Sequence, residues 1–103
     1  MVVSVIYKPT AVAELHEAFE WYEHERPGLG RDFLSEIGRV ERHLEVTPEL
    51  YQRVEDEVRR ATLRRFPYGL FYVIENDAVV VLGCFHLHRD PKSRSELLRS
   101  RHT

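Results

Sequence analysis

The sequence is poor in the residues on which several protein classes depend. Cys84 is the only cysteine in 103 residues, which excludes an intrachain disulfide and every multi-cysteine metal site. No apolar run approaches the roughly 20 residues that a membrane-spanning helix needs. The apolar residues 1–7 lack a basic leader and a small-residue cleavage site, so they predict a first strand rather than a signal peptide. We therefore expect a cytoplasmic protein without a membrane partner, and Cys84 as a small core residue.

An excess of charge of one sign is also absent. The formal net charge is -2, which argues against a protein that coats nucleic acid by bulk electrostatics. The charges are unevenly distributed, and basic residues outnumber acidic ones from Arg59 onward. This basic C-terminal half is compatible with a local anion-binding face. The length predicts one domain, residues 1–103, that is too small for a separate cofactor domain, and we expect no cofactor.

Two segments of the first half have the periodicity of amphipathic helices. Apolar residues recur at steps of three and four along residues 12–22 and again along residues 33–44. Lys8-Pro9-Thr10 supplies a break and the predicted N-cap of the first helix, with Glu14 in its first turn, where the helix dipole favours an anion. The breaker at residues 26–30, Arg-Pro-Gly-Leu-Gly, separates the two helices and predicts an antiparallel helical hairpin.

The second half changes to the composition of strands. Residues 58–66, 68–75 and 78–86 are β-prone, and Asn76-Asp77 is a tight-turn candidate between the last two. With the first strand they predict an α+β fold of order β-α-α-β-β-β, with the helical hairpin on one face of an antiparallel sheet. The other face is then available for a partner. The tail is polar, with a short final helix predicted around residues 97–98.

Four arginines lie within the first of these strand segments. If the strand reaches residue 66, Arg60 and Arg64 share one of its faces, while Arg59 and Arg65 share the other. The planar, forked donors of arginine bind phosphates and carboxylates, so the expected ligand is a nucleic acid or an acidic protein. The same arginines are also suited to a structural role, in which they pair with glutamates of the helices.

Five segments in this order resemble the RelE/ParE toxin superfamily of bacterial type II toxin-antitoxin systems. They are AEL at 13–15, AFEWYE at 18–23, GLGRDF at 28–33, the stretch from RR to RFPY at 59–68, and VLGCFHLHRDP at 81–91. The resemblance covers nearly the whole chain. It implies a small cytoplasmic toxin of the plasmid-stabilisation type, neutralised by a cognate antitoxin whose acidic or amphipathic segment wraps the helices and the sheet.

The superfamily contains two different activities. RelE-like members cut messenger RNA on the ribosome, and ParE-like members inhibit DNA gyrase. Metal-free RNA cleavage needs a base, an acid and cations that stabilise the phosphorane. If the chain is a RelE-like endoribonuclease, the resemblance and the chemistry assign the cleavage of RNA to a set of basic residues. They are His86, His88, Arg60, Arg64 and Arg89.

Two features favour the ParE-like alternative. The chain is net acidic, and its tail after His88 contains no tyrosine, whereas RelE-like enzymes tend to be strongly basic with a functional tyrosine or histidine in the last segment. The expected target is therefore DNA gyrase, with a ribosome-dependent nuclease and a non-toxic antitoxin-binding relative as alternatives. We expect no metal site, because a third ligand for His86 and His88 is missing at a convincing spacing. The predicted contacts to target or antitoxin are Trp21, Tyr22, Arg59, Arg65, Tyr68 and Tyr72.

Overall fold

The computed structural model describes residues 2–102, which form a five-stranded sheet and three helices. The sheet order is β1-β5-β4-β3-β2, in which β1 runs parallel to β5 and the other neighbours are antiparallel. The predicted α+β class and the helical hairpin are confirmed. The elements are β1 (Ser4–Tyr7), α1 (Pro9–Glu25), α2 (Leu29–Val46), β2 (Arg53–Glu55), β3 (Val58–Thr62), β4 (Tyr68–Glu75), β5 (Ala78–His86) and α3 (Pro91–His102).

The helical hairpin of α1 and α2 covers one face of the sheet, as the periodicity predicts. Phe33, Val40 and Leu44 of α2 are fully buried and share a core with Leu70 and Tyr72 of β4. Burial of large apolar side chains contributes about 1.5–3 kcal/mol each, so this core supplies much of the stability. The stripe of apolar residues therefore identified the buried side of α2 correctly.

The N-cap of α1 lies within the predicted segment, but the predicted place of Glu14 in the first turn is wrong. The helix begins at Pro9 with Lys8 as the N-cap residue, and no side chain caps it. Proline suits the first helical position because its fixed φ is already helical and its missing N–H would have no partner there. Thr10 consequently lies inside the helix, and Glu14 lies beyond the first turn, which contains no acidic residue.

The turn between β4 and β5 is as predicted. Asn76 and Asp77 both have positive φ, at 48° and 61°, and the flanking residues Glu75 and Ala78 are paired. Positive φ at both central positions is the geometry of the two-residue hairpin turn, which asparagine and aspartate tolerate better than most residues. The turn therefore fixes the register at this end of the hairpin.

The arginine-rich strand is shorter than predicted. β3 ends at Thr62, because Leu63 and Phe66 turn into the core beneath the helical hairpin. Arg64 and Arg65 therefore lie in the loop that follows, and the predicted sharing of strand faces by Arg60 with Arg64 and by Arg59 with Arg65 is wrong. β2 is an additional strand of three residues that pairs with β3 and was not predicted.

The second face of the sheet is not free. α3 is longer than predicted and packs Leu98 onto Phe71 and Phe85, both of which are buried. Its arginines add to the cover, since the guanidinium of Arg94 lies 5.0 Å from the ring centroid of Phe71 and that of Arg101 lies 5.2 Å from that of Phe85. The prediction that this face remains available for a partner is wrong.

Cys84 lies in the core, as predicted, with 3% of its surface exposed. Burial, and then the carboxylate of Glu14, raise the pKa of its thiol from 9.0 to about 12. Burial likewise raises the pKa of Tyr72 from 10.0 to about 12. Both groups ionise in the unfolded chain at lower pH than in the folded one. Their contribution to stability is therefore complete below their ordinary pKa values and is lost as the pH rises to about 12.

We expect the free energy of unfolding to fall as the pH rises from 9 to about 12, because the unfolded chain releases protons first. Each such group contributes a slope of about 1.4 kcal/mol per pH unit within its window. Urea unfolding at several pH values measures the slope. The Cys84→Ala and Tyr72→Phe variants should each flatten it, and an unchanged slope in Cys84→Ala would show that the thiol ionises equally in both states.

Candidate functional site

The two histidines of the candidate site come together at the end of β5. The ring centroids of His86 and His88 are 5.1 Å apart, and that of Tyr68 lies 5.2 Å from His86. His88 follows the strand in a turn, where its backbone N–H donates to Nδ1 of His86 at 3.1 Å. The two imidazoles are therefore close together. Their proximity arises from this turn and not from alternation along one strand.

A groove lies between α1 and the end of β5, with a volume of about 300 Å³. We call it the α1–β5 groove. Trp21 is its most exposed aromatic residue, with 61% of its surface accessible. Glutamate carboxylates stand on the α1 side of the groove. An imidazole and a guanidinium stand on the other side, which β5 and the turn after it form. The groove is lined by Glu14, Glu17, Ala18, Trp21, Tyr68, Cys84, Phe85, His86 and Arg89.

Glu14 and Arg101 close the open edge of β5 beside this groove. β1 pairs with β5 only as far as Val81, so the following residues have no strand neighbour on that side within residues 2–102. Glu14 accepts a hydrogen bond from the N–H of Cys84 at 3.1 Å, and Arg101 donates to the carbonyl of Leu82 at 3.1 Å. Two further hydrogen bonds, at 2.9 and 3.0 Å, join Arg101 to Glu14. These side chains satisfy backbone groups that another strand would otherwise pair.

A bulge in β5 decides which face its last residues occupy. Tyr72 pairs with Val81, but the preceding residue Phe71 pairs with Gly83, so Leu82 is an extra residue on β5. One extra residue reverses the inward and outward alternation beyond it. His86 pairs with Tyr68 and therefore faces the helical hairpin. Without the bulge it would face α3.

Arg60 lies on the opposite face from His86. It pairs with Phe71, whose side chain packs under α3. Burial, and then the charge of Arg60, lower the pKa of Arg94 of α3. Nη1 of Arg94 is buried and makes no hydrogen bond within residues 2–102. The sheet thus separates Arg60 from the histidines with which it was predicted to act.

The arginines of the loop after β3 contact acidic residues of α2. Arg65 lies 3.5 Å from a carboxylate oxygen of Asp32, and the backbone N–H of Arg64 donates to Glu36 at 2.8 Å. Hydrogen bonds from Arg39, and then that from Arg64, lower the pKa of Glu36. The loop is therefore held to the first half of α2.

Arg59 and Tyr72 support the segment between α2 and β2. Arg59 donates to the carbonyls of Glu49 and Tyr51, at 3.2 and 2.7 Å. The hydroxyl of Tyr72, which is buried, donates to the carbonyl of Pro48 at 2.5 Å. Both predicted contact residues thus hold the chain's own backbone in this structure.

Tyr22 also belongs mainly to the interior. Its ring centroid lies 5.4 Å from that of Phe33, 4.8 Å from that of Phe66 and 6.0 Å from that of Tyr68. Burial raises its pKa. Arg89, the last of the predicted residues, lines the α1–β5 groove with its guanidinium 5.0 Å from the centroid of Phe85.

Sequence reasoning missed the acidic side of the groove. Glu14 and Glu17 line it, although neither was among the predicted site residues. The signal was present in the sequence, because residues 9–25 contain five glutamates and neither lysine nor arginine. Arg101, which bridges Glu14 to β5, could not be recognised because its partners are distant in sequence.

Two general features of the described range bear on the kind of site. Among residues 2–102, no three His, Cys, Asp or Glu side chains converge in an arrangement suited to a metal ion. In the same range, no helix combines the length and the apolar character that a membrane crossing requires.

Comparison with known proteins identifies relatives of the chain. The profile of the family described as the ParE toxin of the type II toxin-antitoxin system parDE matches residues 5–91. A chain of the chromosomal ParDE system of P. aeruginosa has a similar fold, with a TM-score of 0.73 and 19% identity over 84% of this chain and 98% of that one. A chain of the Mycobacterium tuberculosis RelBE2 complex has a TM-score of 0.59 and 21% identity over 84% and 99%. No protein with a curated description is similar enough to count as a relative.

Proposed function

We propose that this chain, which belongs to the ParE toxin family of type II toxin-antitoxin systems, is a cytoplasmic toxin that a cognate antitoxin neutralises and that acts on DNA gyrase when free. In this proposal residues 1–103 act as one unit, and toxicity results from binding rather than from catalysis. Family membership supports the toxin and the antitoxin. The choice of gyrase depends on the geometry of the candidate nuclease residues.

The separation of Arg60 from His86 carries this choice. Cleavage of RNA through its 2'-hydroxyl needs a base, an acid and a cation at one phosphate. His86 faces the helical hairpin, whereas Arg60 faces α3 beyond the sheet. Of the two, only His86 lies in the α1–β5 groove, where Arg89 and not Arg60 is the neighbouring arginine.

The charge around the histidines supports the same conclusion. Glu14 and Glu17 stand in the groove that His86 and Arg89 also line. Glu14 is paired with Arg101, but the exposed carboxylate of Glu17 repels the phosphates of an RNA strand. On the other face, α3 covers the sheet beside Arg60. Neither face is an open and predominantly cationic surface, which supports an interaction with a protein target rather than with RNA.

We expect induction of this chain in bacteria to reduce labelled thymidine incorporation before labelled methionine incorporation, because gyrase inhibition stops replication first. The double variant His86→Gln/His88→Gln should remain toxic, since neither imidazole takes part in chemistry. Pulse labelling in the first minutes after induction, with the antitoxin co-expressed as the control, measures both.

An earlier fall in methionine incorporation, abolished in the double variant, would contradict the proposal and indicate a RelE-like endoribonuclease. Unchanged labelling and growth would also contradict it and would indicate a non-toxic relative that retains antitoxin binding. Inhibition of supercoiling by purified gyrase, with the chain added at increasing concentration, tests the target directly.

A further inference from the structure

The exposed surface of α1 is acidic. Its 17 residues include five glutamates and no lysine or arginine. Glu14 is paired with Arg101, and Glu23 accepts hydrogen bonds from the N–H groups at the start of α2. Glu17, Glu20 and Glu25 remain on the exposed side of the helix. Any partner that lies along α1 meets this negative charge.

An exposed tryptophan lies within the same surface. Trp21 is one helical turn from Glu17 and lines the α1–β5 groove together with Tyr68. A large aromatic side chain beside a groove, surrounded by polar residues, is typical of an anchor point in a protein interface. Exposed tryptophan in a monomer also leaves apolar area in water, which a partner would remove.

The arginines near this surface make contacts within the chain. Arg101 is bonded to Glu14 and to a backbone carbonyl, and the guanidinium of Arg89 lies over Phe85. Arg65, at the other end of the hairpin, lies beside Asp32. Because α1 itself contains no lysine or arginine, the charge along this helix is negative, whereas Arg89 places one positive charge on the opposite wall of the groove.

We propose that the α1–β5 groove binds a basic segment of the antitoxin, with an apolar side chain packed on Trp21 and a lysine or arginine facing Glu17. The proposal rests on the proposed function, because the partner is the antitoxin. It assigns to this segment a charge opposite to the acidic one that the family resemblance implies for the antitoxin. Charge complementarity with α1 carries the assignment, since an acidic segment that lies along this helix would meet carboxylates of its own sign.

The test measures the affinity of the purified chain for the antitoxin encoded beside it, by isothermal titration at low and moderate salt. Trp21→Ala should weaken binding roughly 30-fold, the effect of losing an aromatic anchor. Glu17→Arg should weaken it by about tenfold, more at low salt than at moderate salt, because the variant places a cation against the basic segment. Glu17→Gln should have an intermediate effect.

Glu75→Arg is the matched control, because it makes the same change of charge at an exposed site. Glu75 ends β4 at the turn, whereas Tyr68 of the groove begins the same strand. This variant should bind as the parent does. Since Trp21 and Glu17 are exposed, both variants should keep the parent's melting temperature, and circular dichroism verifies this.

Unchanged or tighter binding by Glu17→Arg, or no effect of Trp21→Ala, would overturn the assignment of a basic segment to this groove. A complex that still forms would leave the proposed function intact in either case. Failure of the parent chain to bind the antitoxin at all would overturn both proposals.

Discussion

Replacing Phe33 with alanine is expected to lower the free energy of unfolding by about 3–5 kcal/mol. Phe33 is fully buried, and its ring centroid lies 5.4 Å from that of Phe66, 5.4 Å from that of Tyr22 and 5.5 Å from that of Tyr68. Truncation removes both the buried area and the edge-to-face contacts, and it leaves a cavity between the hairpin and the sheet. A domain of this size is stable by only about 5–15 kcal/mol, so the loss is a large fraction.

Leu34→Ala is the control, because it removes a neighbouring large side chain that is 41% exposed. It should change stability by a small fraction of the Phe33→Ala effect. Urea unfolding followed by circular dichroism compares the two variants with the parent. Equal losses would mean that the aromatic cluster does not join the hairpin to the sheet in the way that its contacts indicate.

The same cluster connects stability to the candidate interaction surface. Tyr22 belongs to α1 and Tyr68 to the wall of the α1–β5 groove, and Phe33 contacts both rings. Loss of Phe33 therefore loosens the placement of α1 over β5. Antitoxin affinity should fall in Phe33→Ala even though this residue does not line the groove.

The sequence predicted the elements whose determinants are local. The apolar stripe of α2 follows from the spacing of Phe33, Val40 and Leu44, and the turn after β4 follows from the tolerance of Asn76 and Asp77 for positive φ. The order of helices and strands then limits the fold to a hairpin on a sheet. Each of these signals depends on residues that are close in the chain.

α3 and its cover of the second face could not be predicted in this way. The segment is polar, and Leu98 is its only buried residue in the range that the structure describes. What holds it are contacts of Arg94 with Phe71 and of Arg101 with Phe85, each between residues distant in sequence. The local sequence pattern predicts that these arginines are exposed to solvent, because their aromatic partners belong to other elements.

The candidate site likewise contains one arrangement that the local sequence predicts and one that depends on residues distant in the chain. The proximity of His86 and His88 was predictable, since they are two residues apart. Whether His86 joins Arg60 depends on the pairing of three strands and on the extra residue Leu82 in β5. A bulge moves every later side chain of its strand to the other face of the sheet. The spacing of the two histidines does not indicate that β5 contains such a bulge.

Gly83, which follows the extra residue of the bulge, is expected to tolerate no side chain. A Cβ atom at this position would lie 2.6 Å from Cε2 and 2.8 Å from Cζ of Phe85, and 3.0 Å from Nη1 of Arg101. Phe85 cannot swing aside, because it is buried beneath α3 with the guanidinium groups of Arg89 and Arg101 close to its ring. Gly83→Ala should therefore lower the free energy of unfolding by about 3 kcal/mol, the upper end for overpacking.

Gly38→Ala is the matched substitution with the opposite expected sign. A Cβ atom at Gly38 would meet nothing closer than Nη1 of Arg42 at 3.5 Å, and the position is interior to α2. Alanine there should raise the free energy of unfolding by about 0.5–1 kcal/mol, because glycine loses more backbone entropy on folding. Urea unfolding measures both variants, and trypsin cleavage in α3 should accelerate in Gly83→Ala alone, since Phe85 can yield only by displacing that helix. Equal stability of the two variants would show that β5 relaxes at the bulge and that α3 does not depend on the close approach of Gly83 to Phe85.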